Sequence, residues 1–65
     1  MTASQLRNAA RKAAAACNWA DALSLMERAI AAYWRDPCPS YFIAKLDGMA
    51  MQADLDVYRF AAFRA

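Results

Sequence analysis

Residues Ser40–Arg64 read SYFIAKLDGMAMQADLDVYRFAAFR. Side chains three and four apart are neighbours on one side of a helix. At that spacing Phe42, Leu46, Met49, Ala53, Val57 and Phe60 make one apolar stripe, and Ala44, Gly48, Met51, Leu55 and Ala62 make a second on the opposite side. The first stripe keeps its phase through Gly48, which predicts one long helix with Gly48 as the point where it can bend. A surface helix of a small monomer needs a single apolar stripe. The second therefore predicts something that covers it. We expect a homodimer in which Ala44, Gly48, Met51 and Leu55 carry self-association, since small residues four apart let two backbones approach closely. Coverage by the alanine-rich N-terminal helix of the same chain is the alternative.

Working back from this segment, Asp36-Pro37-Cys38-Pro39-Ser40 is the one clear break. Proline is excluded from a helix interior but tolerated in a first turn, and Asp36 or Ser40 is placed to cap the third helix. Before it, Trp19–Arg35 carries the clearest amphipathic pattern, with Trp19, Ala22, Leu23, Met26, Ala29, Ile30, Tyr33 and Trp34 on the apolar face and Asp21, Ser24, Arg28 and Arg35 on the polar one. Asp21 suits the positive end of the helix dipole. Asn18 either ends the preceding helix or caps this one. The first segment, about Ala3 to Cys17, buries Leu6, Ala9, Ala10, Ala13 and Cys17, with Thr2 or Ser4 as its cap. The short turn after Arg35 predicts that the second and third helices lie side by side and antiparallel.

Composition agrees with an all-α fold. Eighteen of 65 residues are alanine, Gly occurs once, and Val, Ile and Thr total four; alanine favours helix, whereas glycine and β-branched residues weaken it. The expected architecture is one domain over 1–65 with helices at about 3–17, 19–35 and 40–64. A core of this size is marginal alone, and dimerisation would add burial without lengthening the chain. No stretch approaches the roughly 20 apolar residues of a membrane span, and residues 1–17 lack the continuous apolar block of a signal peptide. A cytoplasmic, reducing compartment is the expectation. Cys17 falls on an apolar stripe and reads as a buried small hydrophobe. Cys38 sits between two prolines, and whether the two thiols pair is left open. Neither suits a zinc site or a disulfide framework.

The inventory of chemical groups points away from catalysis. Histidine is absent, which removes the commonest general base and metal ligand. Asp54 and Asp56 point about 200° apart on a helix, and no glycine-rich phosphate loop occurs. No enzyme activity, metal or cofactor is expected. The net charge of +2 is small. Arg7, Arg11 and Lys12 precede every acid in the chain and support an alternative reading as a small DNA-binding regulator, with Arg59 and Arg64 near the C-terminus. Two helices joined by a short turn also suggest a helix-turn-helix, but Asp47, Asp54 and Asp56 on the third helix, its candidate recognition helix, would repel phosphates. Around the turn, Tyr33, Trp34, Arg35, Tyr41 and Phe42 cluster within ten positions. Tyr, Trp and Arg are the residues that most often carry interface energy. Ile30, Tyr33, Trp34, Arg35 and Tyr41 are therefore the candidate contact site for a partner protein, and the same aromatics can plug the end of a small bundle.

Asn18-Trp19-Ala20-Asp21-Ala22, followed by Met26 and Ala29, resembles the second helix of a tetratricopeptide repeat over about a dozen residues. It departs where that family's closing proline would fall near Trp34, since this chain waits until Pro37. A single repeat is not stable alone, so the likeness implies shared helix-hairpin packing. In brevity, helicity and alanine content, the chain also resembles short bacteriophage accessory proteins that inhibit host regulators, of the quorum-sensing anti-activator type. That resemblance implies a homodimer that masks a protein surface. The expected function is thus a non-enzymatic protein-binding module that occludes its partner.

Overall fold

The structure, a computed structural model, describes residues 1–35 and 41–64, with side chains except at 41–44. The Asp36–Ser40 turn with its two candidate caps, Cys38, and the side chains of Tyr41, Phe42 and Ala44 lie outside the described residues. The described residues are helical with no strand: α1 spans Ala3–Ala15, α2 Trp19–Arg35 and α3 Tyr41–Arg64. No helix is long and apolar enough to cross a membrane among the described residues.

Thr2 starts α1. Its side chain accepts from the Gln5 amide at 3.2 Å, and Gln5 Oε1 accepts from the Thr2 amide at 2.9 Å, forming a capping box. Two of the N–H groups that the helix leaves without internal partners are satisfied in this way. The helix ends two residues earlier than its apolar pattern suggests. Cys17 takes a left-handed φ of 61°, its amide donates to Ala14 O at 3.0 Å, and the Asn18 amide donates to Ala13 O at 2.8 Å. These are the two bonds of a Schellman end, which normally places glycine at the left-handed position. Cys17 is exposed, contrary to its expected burial, because the turn swings it off the helical stripe. Asn18 serves both helices through its backbone: its amide closes α1, and its carbonyl accepts from Ala22 at 2.9 Å to open α2.

The middle helix packs against both others. Ala10, Ala22, Met26 and Ala29 are fully buried, and Leu6, Met51, Leu55 and Tyr58 complete the core at 2–8% exposure. Along α3 the Trp19 ring lies 6.1 Å from that of Tyr58, and Trp34 lies against Gly48.

Helix α3 runs unbroken through Gly48, but its two stripes exchange the roles expected of them. Met51 and Leu55, expected to contact a second copy, are buried inside the chain at 2% and 6%. Leu46, Met49, Val57 and Phe60 instead stand 53–62% exposed. The reason is steric and electrostatic. Ala10, Ala22 and Ala29 have no exposed surface beside Met26, and the row of α3 that includes Gly48 is the one that packs against α2. A Cβ at Gly48 would already lie 3.3 Å from Trp34 Cζ2. In the same orientation Asp54 is brought to 3.9 Å from Arg11 on α1.

A non-glycine residue in the left-handed region costs roughly 1 kcal/mol. Cys17→Gly should therefore stabilise the chain by about that amount and raise the thermal midpoint by roughly 5 °C. Cys17→Ser, which keeps the Cβ, should not. Equal midpoints for the two variants in thermal circular-dichroism melts would contradict this account of the turn.

Candidate contact surfaces

Among the described residues, two apolar surfaces remain in water. One is the end of α2. Trp34 is 63% exposed even though its ring reaches the backbone of α3 at Gly48, where a side chain would crowd it. Tyr33 meets Trp34 edge-on, with ring centres 5.7 Å apart and planes at 78°, a favoured arrangement for aromatic pairs. Arg35 beside them is exposed, while Ile30 and Tyr33 are half-buried. An open depression of about 400 Å³ lies alongside, between the first turn of α1 (Thr2, Ser4) and Tyr33 and Arg35 of α2. The structure thus groups Tyr33, Trp34 and Arg35 at one corner. Trp34 differs from its expected place on the core face of α2: it stands out from the core and only its far ring edge leans on Gly48.

The second surface is the outer side of α3. Its large members are Leu46, Met49, Val57 and Phe60, with Ala53 exposed between them and Phe63, at 89% exposure, on the flank. The stripe was visible in the sequence. That it faces water was not, and Phe63 belongs to neither stripe. Polar groups on its border are engaged with one another. Gln52 Nε2 donates to Asp56 Oδ1 at 3.2 Å, Arg59 stands 3.8 Å from Asp56, and the Arg64 guanidinium lies 5.4 Å over the Phe60 ring.

Of the basic residues of α1, Arg11 is exposed and stands 3.9 Å from Asp54. Arg7 is half-buried and its Nε is enclosed without a hydrogen-bond partner, whereas Lys12 is exposed. Arg7 also borders a small cleft with Ser4, Tyr33 and Asp47. Arg11 and Asp54 link α1 to α3. Burial pushes the Tyr58 phenol above its ordinary value of 10.0, the Asp54 carboxylate adds to the rise, and Arg11 and Arg7 oppose it. No group of three His, Cys, Asp or Glu side chains gathers as a metal site among the described residues.

Comparison with family models, curated proteins and solved structures finds no match to this chain.

Because the folded chain holds the Tyr58 proton to higher pH than the unfolded chain does, the phenol's contribution is fully present below the unfolded value and is lost as pH rises beyond it. Thermal melts should therefore show stability declining above about pH 10, and Tyr58→Phe should make that decline shallower. Parallel curves for the two proteins would mean that the phenol takes no part.

Proposed function

We propose that this protein acts by contact and not by catalysis, binding and occluding a partner protein through the corner formed by Tyr33, Trp34 and Arg35. The observation that carries the reading is Trp34: a tryptophan 63% exposed, backed by an edge-on tyrosine and adjoined by an exposed arginine. Large amphipathic side chains held in place by neighbours lose little freedom on binding and are the usual centres of interface energy. In this reading α2 and α3 form an antiparallel hairpin. The Trp19–Tyr58 contact near one end and the Trp34–Gly48 contact near the other both support it. Tyr41, which the sequence adds to the contact, starts α3, and its side chain lies outside the described residues. Ile30 supports the corner from the half-buried side of α2. An occluding role of this kind is also what the resemblance to short phage inhibitors implies. A nucleic-acid role is less favoured, because Arg11 shares its charge with Asp54.

The test is capture of protein partners by the tagged full chain from its native host at moderate salt. Trp34→Ala should weaken capture of a specific protein by more than about 30-fold, the loss typical of a central interface residue, while helical circular dichroism is retained. Undiminished capture by a folded Trp34→Ala variant would remove the corner from the contact. Retention of DNA instead, falling steeply with salt, would favour the regulator reading.

A further inference from the structure

We propose that the outer stripe of α3 is where two copies of this chain meet, crossing at Ala53. The face differs from the one that the sequence alone put forward, since Met51 and Leu55 are spent on the core.

Three observations select a second copy as the occupant. The first is area. Aromatic side chains present roughly 150–250 Å² each, and the typical largest apolar patch on a monomer is about 300–600 Å². Phe60 and Phe63, at 62% and 89% exposure, with Leu46, Met49 and Val57 at 53–62%, reach the upper part of that range. That matches the lower end of specific interfaces, about 600 Å² per partner.

The second is self-complementarity. Leu46 and Phe60 stand seven residues before and after Ala53, and Met49 and Val57 stand four before and after it. The stripe thus reads large, large, small, large, large from either end. A two-fold axis at Ala53 sets bulky apolar groups on bulky apolar groups whichever way the second helix runs. The smallest side chain then lies where the two helices come closest. Met49, Ala53 and Val57 also form a ridge at four-residue spacing, the kind that interlocks with its own copy in helix packing. An interface between identical chains related by a two-fold axis requires one patch to fit itself.

The third is charge. Apart from exposed Lys45 at the edge, the polar groups on the border pair within the helix: Gln52 with Asp56, Asp56 with Arg59, and Arg64 over Phe60. A second copy can close on the stripe without stranding a charge, and no partner of opposite charge is called for. Each chain carries only +2, so self-repulsion is small. Gly48, which carries Trp34 above it, lies on the opposite side of α3 from the stripe. Pairing therefore leaves the Trp34 corner open, and the two surfaces can be tested apart.

The experiment is sedimentation velocity with light scattering on the full chain across micromolar concentrations. The expected mass is twice the 7.2 kDa of one chain. Leu46→Asp and Phe60→Asp should each raise the dimer dissociation constant by about 100-fold, as expected for truncating or charging a central apolar contact. Helical circular dichroism should persist in both, because both side chains are more than half in water already. Trp34→Ala should leave the mass unchanged. With Cys17 and Cys38 replaced by Ser, Ala53→Cys should oxidise to a disulfide-linked dimer. A lone protomer at every concentration would overturn the proposal, as would a dimer whose affinity neither Asp variant changes and that Ala53→Cys fails to cross-link. A protomer that captures a foreign protein and loses it in the Asp variants would assign the stripe to that protein, and would overturn it too.

Discussion

Close packing of alanine against two methionines is the constraint on which the rest of this molecule depends. Ala10, Ala22 and Ala29 have no exposed surface, and Met26 and Met51 are the largest side chains enclosed with them. Alanine contributes little area of its own, but it lets helix axes approach closely. Methionine, unbranched and flexible, fills the irregular space that remains. A core of this design is thin. It accepts one narrow row of α3 and no more, so the larger and more numerous apolar residues of that helix have nowhere inside to go.

The orientation of α3 is held by contacts of three kinds. Gly48 removes the one side chain that would press Trp34 away. Trp19 and Tyr58 meet as rings. Arg11 and Asp54 join α1 to α3 across the edge of the core, an exposed pair worth no more than about 1 kcal/mol but one that distinguishes the two sides of α3. Rotating α3 by half a turn would bury Leu46 and Phe60, yet it would break all three. The exposed stripe is thus a consequence of how the core closes.

The Trp34 corner and the α3 stripe make up the large apolar surface that stays in water on α2 and α3 among the described residues. They lie on different sides of α3, separated by the helix itself at Gly48. A core this small is marginal alone, and both surfaces leave large apolar side chains in water. On α1, Arg11 is paired with Asp54 yet, like Lys12, stays exposed, so the charge of the basic N-terminal segment is only partly offset.

Local chemistry determined the helices. Thr2 or Ser4 marks the start of α1, and the structure selects Thr2 through Gln5; the scarcity of Gly, Pro and β-branched residues gives an all-α chain, and unbroken phase through Gly48 gives a single α3. These features depend on residues within one or two turns of each other, so they are legible along the chain. The end of α1 was less so, because nothing near Cys17 signals a left-handed residue that is not glycine. Tertiary structure alone decided which stripe of α3 goes inward. Both satisfy helical periodicity, and the larger one is not the one buried. That choice rests on the width of the space beside Ala10, Ala22 and Ala29 and on pairings such as Arg11 with Asp54 and Trp34 with Gly48, which join residues far apart in the chain and exist only once the helices have packed.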